Sequence, residues 1–157
     1  TTGLRFFTVY GPYGRPDMAY YKFTQSIFNH ESIEVYNEGK MRRDFTYIED
    51  IVEGILRLIN KHPKLRNDSH TRAEAPYDLL NIGNNKPVSL TDFIKTLEEI
   101  IGLKSKKINL GMQAGDVLET FADIDSLNQK INYLPKTDIK EGLAYFVDWF
   151  KEYHGYN

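Results

Sequence analysis

Arg42 and Arg43 stand side by side in the run KMRRDFTYIEDIVEGI, residues 40–55. A guanidinium is permanently charged, and its planar fork matches two phosphate oxygens at once. Neighbours on an extended backbone point to opposite faces, so one arginine can enter a cleft while the other meets solvent. Arg43 is the better inward candidate, because Phe45 shares its face and Asp44 can brace the next turn. The alternative is a solvated surface pair, and these two residues alone do not choose between the readings.

Two further stretches carry groups suited to a polar ligand. In GPYGRPDM, Pro12, Gly14 and Pro16 stiffen a loop after a strand's carboxyl end, where α/β proteins place ligands. Arg15 there is a plausible anion contact just before a helix start. In GMQAGDVLETFAD, Gly111 and Gly115 flank Gln113 and Asp116, a composition able to close over a ligand and hydrogen-bond a sugar or base. A solvated turn and an ordinary loop are the plain alternatives.

Tyr36 and Lys40 have the spacing of a Tyr-x-x-x-Lys pair, which on a helix shares one face. Asn37 and Gly39 between them specify a turn, so they are not read as a catalytic pair. His30, His62, His70 and His154 lie in polar contexts without metal-ligand spacing, and no metal site is expected. The GxGxxG, Walker lysine, HExxH and GxSxG signatures are absent.

The elements that must position these groups fit one domain. The chain has 157 residues, 41% hydrophobic content and a net charge of −2, which argues against a broad nucleic-acid footprint. No apolar run has the ~18 residues needed to span a bilayer. With no cysteine, thiolate zinc sites, disulfides and cysteine nucleophiles are excluded, which suits a reducing compartment. The Asn67-Asp68-Ser69 sequon is read as coincidental. The chain opens on Thr1-Thr2-Gly3 and runs straight into an apolar strand, so a piece of a longer polypeptide is expected.

Leu4–Tyr10 predicts a buried strand and Asp17–Asn29 a helix with Tyr20, Phe23 and Ile27 inward. Short strands are expected at Ile33–Tyr36 and Asp44–Ile48. Asp50 is expected to cap the next helix, with Glu53 reaching back and Ile51, Ile55, Leu58 and Ile59 buried. Residues 61–76 predict a long polar surface loop, followed by a strand in YDLLNIG. Ser89 caps the clearest helix, with Leu90, Phe93, Ile94, Leu97 and Ile101 on one side and Gly102 as its stop. Lys106–Leu110 and Glu119–Ala122 read as extended, and helices follow near 125–131 and 138–153, the last with Leu143, Phe146, Val147 and Phe150 inward. Strands alternating with helices give an α/β class.

Taken together, LRFFTVYGPYGRPDM, VYNEGKMRRDFTYIEDIVEGI, LNIGNNKPVSLTDFI and GDVLETFADI resemble the carboxyl-terminal half of the NAD-dependent nucleotide-sugar epimerases, in the extended short-chain dehydrogenase/reductase family. The resemblance is strongest to UDP-glucuronate 4-epimerases, including bacterial capsule-biosynthesis members, and only the 61–76 loop falls outside it. It implies an α/β fold: the last parallel strands of an extended Rossmann-type sheet, to which residues 1–14 contribute, plus a small substrate-binding domain. The NAD-binding half and its catalytic Tyr-x-x-x-Lys would precede this chain, leaving no catalytic residue within it and no activity in it alone.

The implied chemistry interconverts UDP-glucuronate and UDP-galacturonate. NAD takes the hydride from C4, a tyrosinate takes the hydroxyl proton, and the 4-keto sugar turns before the hydride returns. By the same resemblance, Arg43 binds the diphosphate, Thr8 touches the sugar, Arg15 contacts substrate, Val35, Tyr36 and Asn37 run along the uracil, Gln113 and Asp116 close over the nucleotide, and Phe7 lies beside the nicotinamide. Galactose-type relatives carry arginine at the Gln113 position, a departure that speaks against UDP-galactose. A cytoplasmic homodimer free of nucleic-acid and membrane partners is implied. Other UDP-sugar epimerases, dehydratases or decarboxylases of the family, and a non-catalytic nucleotide-sugar binding module, stay open as alternatives.

Overall fold

A computed structural model describes residues 1–65, 75–112 and 115–156. The α/β alternation read from the sequence is what folds. β1 (Thr2–Phe6) lies parallel to β5 (Asp78–Ile82), β2 (Thr8–Tyr10) parallel to β4 (Arg42–Tyr47), and β3 (Ser32–Tyr36) parallel to β7 (Lys106–Leu110). Among the described strands only β6 (Pro87–Ser89) runs antiparallel to its neighbour, β4. The helices are α1 (Ala19–Phe28), α2 (Ile48–Ile59), α3 (Leu90–Ile101), α4 (Asp125–Ile131) and α5 (Ile139–His154). No helix among the described residues is long and apolar enough to cross a membrane.

Local chemistry sets the ends of α3 and α5. Ser89 accepts a hydrogen bond from the Asp92 amide at 3.0 Å, satisfying a first-turn donor that the helix itself cannot. Gly102, at φ 79°, ends α3 in the left-handed conformation that costs a glycine little. Asp138 caps α5 through the Lys140 amide at 2.9 Å. The period of 3.6 then turns Phe93, Ile94 and Leu97 of α3, and Leu143, Phe146, Val147 and Phe150 of α5, onto one core. Tyr20, Phe23 and Ile27 of α1 close that core, where Phe45 stacks on Phe93 with centroids 4.6 Å apart. Each fully buried side chain of this size contributes roughly 1.5–3 kcal/mol. A second, smaller cluster joins Ile51 and Leu58 of α2 to Leu80, Ile82, Leu127, Ile131 and Tyr133.

Several sequence expectations are corrected. The strand expected over Leu4–Tyr10 is two strands that break at Phe7, because β1 and β2 pair with different partners. Of that run only Tyr10 is buried, and Phe6 is 53% exposed. β4 begins at Arg42, two residues earlier than expected, and Asp44 through Tyr47 are all buried, so both faces of the strand are covered. Tyr47, with no side-chain bond, occupies the N-cap of α2. Asp50 sits buried inside the first turn instead, accepting from the Tyr133 hydroxyl at 3.0 Å and the Thr137 amide at 3.0 Å. Glu53 does not reach back but pairs with Arg57 one turn on. The buried stripe of α2 is Ile51, Gly54 and Leu58, and Ile59 is exposed. Glu119–Ala122 makes one isolated bridge, Arg42 to Glu119, in place of a strand. Residues 66–74, with the sequon and His70, lie outside the described residues. His154 is not merely solvated: its Nε2 is 2.7 Å from the Tyr21 hydroxyl.

Glu98 ties α3 to β7. Its carboxylate accepts from Lys107 Nζ at 2.6 Å, Lys104 Nζ at 3.1 Å and the Ser105 amide at 3.1 Å. Burial alone would raise its pKa, but these donors prevail and hold it at about 2. A folded-state pKa below the unfolded one stabilises above about pH 4.5, and that contribution disappears as pH falls toward 2. Glu98→Gln is therefore expected to lower stability at pH 7 by ~1–3 kcal/mol. In urea unfolding the deficit should shrink by pH 3; an equal deficit at both pH values contradicts this linkage.

Candidate functional site

β2 and β4 lie in parallel register, Thr8 against Phe45 and Tyr10 against Tyr47. With a side-chain period of two, Thr8, Arg43 and Phe45 turn to the same side of the sheet. There they wall a cleft of about 760 Å³, whose other side is the polar face of α1 and the outer groups of β3.

Arg43 is the fixed cation of this cleft, with its side chain 22% exposed. Its Nη2 lies 2.5 Å from Asp116 Oδ1, and its Nη1 donates to the Arg42 carbonyl at 2.9 Å and the Leu118 carbonyl at 3.5 Å. Arg42 turns the other way, donating to the Pro87 carbonyl at 2.8 Å and pairing with Glu119 at 3.2 Å. The division of labour expected for adjacent residues on a strand is thus what the backbone imposes.

Thr8, Tyr36, Arg43 and Asp116 all line the cleft. Tyr36 donates its hydroxyl to Glu34 at 3.1 Å, and that bond raises its pKa. Lys40 pairs with Glu38 at 2.6 Å. The turn between them, with positive φ at Asn37, Glu38 and Gly39, separates the two groups as the sequence predicts, and the raised Tyr36 pKa is the reverse of what a tyrosinate base requires.

The other described candidates lie off the cleft wall. Arg15 is exposed and makes a two-pronged pair with Asp17, 3.0 Å from Nε and 2.5 Å from Nη2, which lowers the Asp17 pKa. Asp17 itself lines the cleft, so Arg15 stands at its rim. Val35 is 4% exposed and packs into the larger core, so its side chain does not face the cleft. Asn37 is half-buried in the turn after β3, and Phe7 is half-buried at the break between β1 and β2. Gln113 lies outside the described residues.

The cleft also gathers residues that sequence reasoning passed over. Met18, at the N-cap of α1, and Lys22, Gln25 and Ser26 within it line the cleft. Their spacing of four, seven and eight is the same helical period that identified the buried face, read on the opposite side. Lys22 adds a second cation at this wall and contributes to lowering the Asp17 pKa.

Comparison with known proteins points the same way. The NAD dependent epimerase/dehydratase family matches residues 1–83. Protein CapI of Staphylococcus aureus is 50% identical, over 98% of this chain and 48% of the relative. A probable UDP-glucuronate 4-epimerase of Rhizobium meliloti is 44% identical, over 97% of this chain and 47% of the relative. The crystal structure of UDP-glucuronic acid 4-epimerase from Bacillus cereus, in complex with UDP-glucuronic acid and NAD, is similar at a TM-score of 0.81 and 31% identity, over 96% of this chain and 45% of that one. This chain therefore spans about half the length of the curated relatives it matches.

Gly83, the last residue of the family match, follows β5 behind the cleft wall. A Cβ there would overlap the Ala122 methyl and stand 3.0 Å from Asp44 Oδ2 and 3.5 Å from the Phe7 ring. Gly83→Ala is expected to destabilise by ~1–3 kcal/mol, the scale of overpacking in a tight interior. Urea unfolding measures it, and an unchanged midpoint would show that these neighbours yield freely.

Proposed function

The chain belongs to the NAD-dependent epimerase/dehydratase family, and from that premise we propose that it is the substrate-binding half of an epimerase interconverting UDP-glucuronate and UDP-galacturonate at C4. The observation that carries this reading is Arg43: a half-buried guanidinium turned into a cleft and steadied by one carboxylate and two backbone carbonyls. A UDP-hexuronate is an extended dianionic diphosphate bearing a further carboxylate. An enzyme that lets the sugar turn must grip it elsewhere, and a planar fork fixed to a strand suits a diphosphate.

On this reading Arg43 clasps the diphosphate. Asp116 now holds the same fork, so two anions compete for it; the diphosphate takes the guanidinium and Asp116 becomes an acceptor for the nucleotide's hydroxyls, with Gln113 alongside. Thr8, two residues from the end of β2, presents a hydroxyl to the sugar. Arg15 reaches substrate by exchanging Asp17 for it. Tyr36 and Asn37 flank the base, and Val35 contributes backbone rather than side chain, since its isopropyl group is buried.

NAD, when bound, supplies hydride acceptance and return. Phe7 is the group of this chain assigned to its nicotinamide: a half-buried ring beside Gly83, apolar and fit to pack against a flat heterocycle but unable to hold phosphates. Residues 1–14 are assigned to the nucleotide-binding sheet, which β1, paired along one edge, is free to extend. The rest of the cofactor site, the catalytic tyrosine and lysine, and the homodimer contacts are assigned to the half that this chain does not include.

Arg43→Ala in the full-length protein should weaken UDP binding by ~1.5–3 kcal/mol, the range of a charge-assisted hydrogen bond, and leave NAD affinity unchanged. Calorimetric titration with each ligand checks this, and an unaltered UDP affinity would remove Arg43 from the role. The 157-residue chain by itself should not turn over UDP-glucuronate in the presence of NAD, because the catalytic tyrosine and lysine are assigned to the other half and Tyr36 and Lys40 do not replace them. Turnover by the isolated chain, followed by separation of the two uronates, would overturn that assignment.

A further inference from the structure

Asp44 is the residue that directly follows Arg43, and it faces the opposite side of β4, away from the cleft. It is fully buried, with 0% of its surface exposed. Its Oδ1 accepts from the Asn84 amide at 3.0 Å, and its Oδ2 accepts from the Asn85 amide at 2.9 Å and the Ala122 amide at 2.8 Å. Three backbone donors from two segments remote in sequence thus converge on one carboxylate. A buried charge without such partners would cost several kcal/mol, so the site is built to keep it.

The segment tied to Asp44 at Ala122 is the one that braces Arg43. The Leu118 carbonyl accepts from Arg43 Nη1 and from the Arg42 amide, the latter at 2.8 Å, and the Thr120 amide donates to the Arg42 carbonyl at 3.2 Å. Arg43 Nη1 also donates to that same Arg42 carbonyl. The run 116–122 is therefore fixed to β4 at its middle by the Arg42 backbone and at its end by Asp44, while its first residue holds the guanidinium. The other segment, Asn84–Asn85, adjoins Gly83, which packs close to Phe7.

We propose that Asp44 is a positioning residue for anion binding: its buried carboxylate locks segment 116–122 and the turn after β5 onto β4, and so sets the direction in which Arg43 presents its fork to the cleft. The proposal rests on Arg43 being the diphosphate ligand. An asparagine in its place would keep one acceptor oxygen and turn an NH2 toward backbone N–H groups. The bracing segment would then lose an anchor and Arg43 its fixed aim, and ligand contacts displaced by even 1 Å are costly.

The test is a double-mutant cycle in the full-length protein, with UDP and NAD titrated into wild type, Arg43→Ala, Asp44→Asn and the double variant. Asp44→Asn is expected to weaken UDP binding about ten-fold or more while changing NAD binding less than about two-fold. In the Arg43→Ala background, Asp44→Asn should weaken UDP no further. Additive losses would overturn the proposal, because Asp44 would then act independently of Arg43. Equal losses in UDP and NAD would also overturn it, marking a structural staple. If Arg43→Ala itself leaves UDP affinity intact, the diphosphate reading fails and the proposal falls with it, an outcome distinct from additivity. Should Asp44→Asn not fold, Asp44→Glu, which keeps both acceptor oxygens, carries the same cycle, and failure of both variants to fold would reduce Asp44 to a fold determinant.

Discussion

One strand, Arg42–Tyr47, constrains everything else in this molecule. Because successive side chains point to opposite faces, Arg43, Phe45 and Tyr47 go to the larger core and the cleft, whereas Asp44 and Thr46 go to the interior behind it. A slip of one residue would put the arginine inside and the phenylalanine against polar backbone. The register is pinned on both sides, by Thr8 against Phe45 in parallel and by Arg43 against Val88 in antiparallel pairing. Asp44 adds a third pin through its three backbone donors. The fork is therefore presented by geometry that is fixed before any ligand arrives.

The electrostatics of the cleft sharpen the point. Its charged lining is Asp17, Glu31, Glu34 and Asp116 against Lys22 and Arg43, so the wall holds more carboxylates than cations. A general positive field is not what would draw a diphosphate here. Attraction has to come from close contact at Arg43, where an opposite charge a few ångströms away outweighs carboxylates further off and screened by water. Two of those carboxylates are already paired with cations, Asp17 with Arg15 and Asp116 with Arg43, and on the proposed reading each pairing would be exchanged rather than newly made. A cleft of this kind favours fit over charge: an anion that presents two oxygens to the planar fork gains most.

What the sequence disclosed followed the range of the interactions involved. Helices α3 and α5 were legible to within a residue, because Ser89, Gly102 and Asp138 act on their own neighbours and the apolar period is unbroken. The opposed directions of Arg42 and Arg43 were legible too, since they depend only on the strand period. Asp50 was misread as a cap because its partners, Tyr133 and Thr137, lie more than eighty residues on, and nothing local distinguishes a buried acceptor from an N-cap. The break at Phe7 was hidden for the same reason: LRFFTVY is one apolar run, and only the identity of its two pairing partners divides it. The polar face of α1 was readable in principle from the period that revealed its core face, yet polarity on a helix's outer side carries no signal until something stands opposite it.

The two hydrophobic clusters differ in kind. The larger is rich in aromatic rings and sealed by α1, α3 and α5. The smaller rests on a two-stranded sheet whose β1 leaves Phe6 exposed and whose β5 leaves Leu79 exposed, and paired strands of that size are marginal without further packing. Arg43 faces the cleft, and Asp44 behind it is bonded to the turn after β5, whose Leu80 and Ile82 belong to the smaller cluster. Asp116, at the start of the segment that ends at Ala122, holds the fork, and that segment is bonded through Asp44 to the turn that closes β5. One strand thus carries both the guanidinium that turns into the cleft and the carboxylate that fixes the two segments beside it.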